Sequence, residues 1–64
     1  MILRYKTKYR EVFIETPRVE NKDDVILYTL EKPDDVIREK FILKNSIISA
    51  EIYDGGEMVS DLML

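Results

Sequence analysis

From residue 25 to the C-terminus, runs of about seven residues rich in Ile, Val, Tyr and Phe alternate with turn-forming clusters, the spacing and composition of successive β-strands. Residues 25–31 (VILYTLE) carry no charge until the last position, as suits a central strand. Residues 36–43 (VIREKFIL) alternate, with Ile37, Phe41 and Leu43 on one parity and Arg38 and Lys40 on the other. Residues 47–53 (IISAEIY) set Ile48, Ala50 and Ile52 against Ser49 and Glu51, and residues 57–63 (EMVSDLM) close the series. Between these runs, Lys32-Pro33-Asp34-Asp35 suits a type I turn, because proline presets φ at the second position. Asp54-Gly55-Gly56 is the strongest hairpin signal, because glycine accepts positive φ without steric cost. Thr16-Pro17 through Asp24 reads as a further turn region.

The N-terminal run, residues 2–15, is too long for one straight strand. Extended, fourteen residues span about 46 Å, wider than a domain of this size, so the run must bend, bulge or fold into a hairpin near Thr7-Lys8. The fold expected is mainly β: a small antiparallel meander of about five strands, curled into an SH3-like or OB-like barrel or left as a half-open sheet. The alternative is α+β, with one helix at about residues 34–45, where Asp34 or Asp35 would cap and Ile37 and Phe41 stand four residues apart. The β-branched residues at 36, 37 and 42 favour the strand.

Sixty-four residues form a single domain, 1–64, with a small core. Chains of this size are usually reinforced by disulfides, a metal or self-association. With no Cys and no His, disulfides, thiolate or imidazole metal sites, thiol nucleophiles and His-based triads are all excluded. No remaining side chain has an ordinary pKa near neutrality, so the chain is read as non-enzymatic and without cofactor. No apolar run approaches the ~20 residues that cross a bilayer, and no signal-like segment opens the chain. A cytoplasmic protein without membrane contact is expected, encoded as a complete small reading frame beginning at Met1.

Net charge is −3, unevenly spread. Residues 1–18 hold five cations against two acids (+3), and residues 19–64 hold five against eleven (−6). Arg4, Lys6, Lys8 and Arg10 occupy alternate positions about 7 Å apart on an extended strand, a candidate contact for a polyanion. On a regular strand Tyr5, Tyr9 and Phe13 fall on the opposite parity, where they are expected to face the core rather than stack on bases. A bulge near Lys8 would bring Tyr9 onto the basic side. The acidic pairs lack the alternating oxygen ligands of a calcium loop, so no metal is expected.

The last strand ends on apolar residues, and a sheet edge there offers a place for another strand to add. The candidate protein interface is therefore Met58, Val59, Leu62 and Leu64, with the acidic turn residues Asp34, Asp35, Asp54 and Glu57. The leading expectation is a small non-catalytic protein-binding module, a regulator or inhibitor of another protein. A single-stranded nucleic-acid binder through the basic N-terminal strand, and a structural homo-oligomer in which the basic arm meets the acidic body of a second copy, are the alternatives.

Overall fold

In the computed structural model, which describes residues 1–31 and 37–64 apart from the side chain of Ile37, the chain is mainly β, as its pattern of apolar runs predicts. The strands are β1 (Ile2–Lys6), β2 (Glu11–Glu15), β3 (Val19–Asn21), β4 (Val25–Glu31), β5 (Ile37–Leu43), β6 (Ser49–Asp54) and β7 (Glu57–Asp61), with a 3-10 turn at Lys44–Ser46. They form two antiparallel sheets, one ordered β2-β1-β6-β7 and the other β3-β4-β5. Among the described residues the two sheets form no closed barrel. The run from Ile37 to Leu43 is a strand and not a helix, against the α+β alternative; the turn expected at Lys32-Pro33-Asp34-Asp35 lies outside the described residues.

The long N-terminal run folds into a hairpin. Thr7 builds its turn: the Thr7 N–H donates to the Arg10 carbonyl (2.8 Å), while Tyr9 N–H (3.1 Å) and Arg10 N–H (3.2 Å) donate to the Thr7 hydroxyl. The β6–β7 connection is the two-residue turn expected of Asp54-Gly55-Gly56, with φ of +63° and +85° at the glycines, values that match the twist of the flanking strands.

Leu3 and Ala50 from the four-stranded sheet meet Ile26 and Ile42 from the three-stranded one, and Leu62 closes the core. Tyr5, Ile14, Val19, Tyr28, Ile47 and Ile52 pack around them. Where the chain passes between sheets, fully buried Thr16 holds the crossing. Its hydroxyl lies 2.6 Å from the Thr29 carbonyl, to which it donates, and accepts from Thr29 N–H and Arg18 N–H (both 3.3 Å). Thr16 also anchors the N-terminus, since its N–H donates to the Met1 carbonyl (3.0 Å) and its carbonyl accepts from the Met1 amine (3.2 Å).

Two expectations about faces are corrected. The aromatic stripe Tyr5, Tyr9, Phe13 does not line the core together. The β1–β2 turn has an even number of residues, so Leu3 pairs with Ile14 and Tyr5 with Val12, and the core-facing parity switches across the turn. Phe13 is thereby turned to the outside (62% exposed), and Tyr9 sits at the tip (90% exposed). In β5 the predicted alternation holds but its burial is inverted: Ile42 enters the core opposite Ile26, leaving Phe41 and Leu43 exposed on the outer face. Ile48, on the parity of buried Ala50, is also exposed, just before β6 begins.

A candidate interaction face on the four-stranded sheet

The outer surface of the β2-β1-β6-β7 sheet follows directly from its register. Side chains opposite one another across an antiparallel pair share a face. One row therefore runs Glu15, Ile2, Tyr53, Met58, the next Phe13, Arg4, Glu51, Asp61, and a third Glu11, Lys6, Ser49. Ile2, Arg4, Glu11, Phe13 and Tyr53 line an open depression of about 400 Å³ on this face. A bulge in β7 after Met58 sets both Met58 and Val59 against Tyr53, and the two are 56% and 60% exposed. Phe13, Met58 and Val59 thus leave apolar area in water at the margins of the depression.

Its centre is polar but internally satisfied. The Arg4 guanidinium donates to Glu11 Oε1 (3.0 Å) and to Glu51 Oε1, and both bonds hold it in its charged form, raising its pKa further. Glu51 is buried despite its outward parity. Arg4 is therefore occupied by two carboxylates, and the four-cation row expected for β1 and β2 is broken. Arg4 and Lys6 lie on the outer face, whereas Lys8 and Arg10 belong to the turn with Tyr9 between them. The exposed cations Lys6, Lys8 and Arg10 gather at one corner of the sheet, beside the β1–β2 turn.

The candidate interface residues divide. Met58, Val59 and Leu64 are exposed, and Asp54 and Glu57 flank the glycine turn in the open. Leu62 is a correction: it is 2% exposed, its N–H donating to the Ala50 carbonyl (2.9 Å), so it completes the core and offers nothing to a partner. Asp34 and Asp35 lie outside the described residues. Sequence pattern missed Ile2, Phe13 and Tyr53 as members of an exposed face. The usable signal was the odd-even switch that any even-length hairpin turn imposes between Thr7 and Arg10.

The outer face of the three-stranded sheet is also apolar, with Phe41 and Leu43 exposed beside Val25 and Leu27. Among the described residues no helix is long and apolar enough to cross a membrane, and no three acidic side chains are gathered as metal ligands. Comparison with known proteins finds no matching family model, no similar curated protein and no similar solved structure.

Proposed function

We propose that the protein is a non-catalytic binding module, acting as a regulator or inhibitor in the cytoplasm, and that the outer face of its four-stranded sheet docks another polypeptide. The observation that carries this reading is the depression between Ile2, Phe13 and Tyr53, flanked by exposed Met58 and Val59. Its occupant is an apolar side chain carried between cationic residues. The apolar walls take the side chain, and the carboxylates of Glu15 and Asp61 on the same face favour Lys or Arg beside it. Lack of His and Cys supports the non-catalytic part of the reading.

Selection of displayed random peptides tests it. Peptides enriched on the wild type should carry an aromatic or aliphatic residue flanked by Lys or Arg, and should be lost on F13D but kept on F41D. Peptides indifferent to F13D, or without cations, would remove this reading.

One observation favours a second reading. The turn places Tyr9 between Lys8 and Arg10 almost fully exposed, so a base could stack on the ring while phosphates meet the cations. Titration with a labelled single-stranded oligonucleotide at low salt separates the two: binding lost on Y9S and on K8S/R10S supports the nucleic-acid reading, and no binding sinks it.

A further inference from the structure

Among the described residues the two sheets leave four edge strands, β2 and β7 in one, β3 and β5 in the other. An edge strand exposes backbone N–H and C=O groups on which another strand can add, and proteins guard such edges with bulges, short strands or Lys side chains. Three of these edges are guarded. β7 is interrupted by its bulge, and beyond it the Met63 N–H donates to Asp61 Oδ1 (3.0 Å). β3 is three residues long and is set among the ion pairs of Glu20 with Arg18 and Lys22. β5 carries exposed Arg38 and Lys40. β2 (EVFIE) has no bulge, no proline and no cation.

The register of β2 decides what its edge presents. In an antiparallel ladder, pairs that exchange hydrogen bonds alternate with pairs whose backbone groups point away from the neighbouring strand. The Thr16 N–H donates to the Met1 carbonyl (3.0 Å) at one end of the β1–β2 ladder, and the Thr7 N–H to the Arg10 carbonyl (2.8 Å) at the other. Counting inward from either end gives the same alternation. Val12 and Ile14 bond β1, while Glu11, Phe13 and Glu15 turn their N–H and C=O groups to the free edge. The side chains of these three share the outer face, and all are exposed. The edge therefore reads acid, aromatic, acid at every second residue. Among the described residues both carboxylates accept through Oε1, Glu11 from Arg4 (3.0 Å) and Glu15 from the Met1 amine (3.2 Å).

We infer that β2 is extended by a strand of another polypeptide that carries an apolar residue between two cations, at the spacing Lys/Arg-x-apolar-x-Lys/Arg. This rests on the reading of the face as a docking surface and adds how the polypeptide is held. Antiparallel addition gives each of Glu11, Phe13 and Glu15 two backbone bonds, up to about six in all. Side chains directly opposite share a face about 5 Å apart, so the cations meet Glu11 and Glu15 and the apolar residue covers the outer flank of Phe13. The same geometry disfavours a second copy. Two β2 strands paired antiparallel about Phe13 set Glu11 of each against Glu15 of the other, and like charges directly opposite are destabilising. The edge accepts a basic strand and rejects its own.

Nuclear magnetic resonance on the full chain with two synthetic peptides tests this. The first, acetyl-Thr-Lys-Thr-Phe-Thr-Lys-Thr-amide, puts its cations on the same strand face as its Phe. The second, acetyl-Thr-Thr-Lys-Phe-Lys-Thr-Thr-amide, has the same composition with the cations on the opposite face. The first should bind with a Kd of about 1 mM or tighter at about 50 mM salt, and the second about fivefold or more weakly. At saturation the Glu11, Phe13 and Glu15 amides, which exchange fast in the free protein, should slow about fivefold or more, while Val12 and Ile14 change little. E11Q/E15Q should erase the difference between the peptides. No binding of the first peptide up to about 1 mM, equal binding of the two by the wild type, a difference that survives E11Q/E15Q, or binding that leaves the three amides fast would each overturn the inference. Displayed peptides that bind in an F13D-sensitive way while those amides stay fast would end strand addition alone and leave the docking reading standing.

Discussion

Phe13 stands directly across the β1–β2 ladder from Arg4, and the two point to the same, outer side of the sheet. The guanidinium beside that ring is not available to a ligand, because Glu11 and Glu51 already take its N–H groups. Its work is to neutralise Glu51, a carboxylate held out of water between β1 and β7. R4A should therefore destabilise the fold more than E11A, since E11A removes only the more exposed partner. E51Q should recover much of the loss in the R4A background, because a neutral amide tolerates the site without a cation. Urea midpoints for the wild type, R4A, E51Q and R4A/E51Q form the double-mutant cycle that measures this, and additive effects would show that Arg4 and Glu51 act independently.

Leu62 and Leu64 are two residues apart and differ completely in environment. Leu62 lies against the core, whereas Leu64 is fully exposed. L62A should cost about 2–5 kcal/mol, enough to leave a chain of this size largely unfolded. L64A should change stability by less than about 0.5 kcal/mol. Thermal melts followed by circular dichroism check the contrast, and equal effects would contradict the placement of Leu62.

The strand content was legible in the sequence, and the facing of the strands was less so. The run 25–31 and the Asp54-Gly55-Gly56 turn carry local signals strong enough to survive folding. Val19–Asn21 carries none: its three residues are a strand only because β4 lies beside them. Periodicity in β5 separated Phe41 and Leu43 from Ile42, yet both parities are apolar, so alternation alone could not tell which one the opposite sheet would cover. For the interaction face, Met58 and Val59 were visible as apolar residues of a terminal edge. Phe13 was hidden because its facing was read on the parity of a regular strand; the hairpin near Thr7-Lys8 was among the expected solutions, but a turn of even length reverses which parity faces inward.

Thr16 joins the two sheets through a hydroxyl rather than through apolar contact. Thr16→Val keeps the shape and removes the bond to the part-buried Thr29 carbonyl. Thr29 N–H retains the Arg18 carbonyl at 3.1 Å, so the loss falls on the Thr29 carbonyl and on Arg18 N–H. The expected cost is about 1–3 kcal/mol. Amide hydrogen exchange should quicken most at Arg18, whose N–H loses the hydroxyl that accepts it; uniform acceleration over the chain would mean that Thr16 holds no particular junction.

Tyr28 faces the core from β4, and burial pushes its phenol above the ordinary value of 10.0, with the charge of neighbouring Tyr5 adding to the rise. Above pH 10 the unfolded chain gives up this proton before the folded one does. The folded state then binds more protons than the unfolded state, and stability falls as pH increases. The contribution is fully present below the unfolded pKa and is lost as pH climbs through the folded one. Ultraviolet titration of tyrosinate should show one late-ionising phenol that is missing from Y28F, and the urea midpoint of the wild type should drop more steeply above pH 10 than that of Y28F. Parallel declines in the two proteins would place the alkaline sensitivity elsewhere.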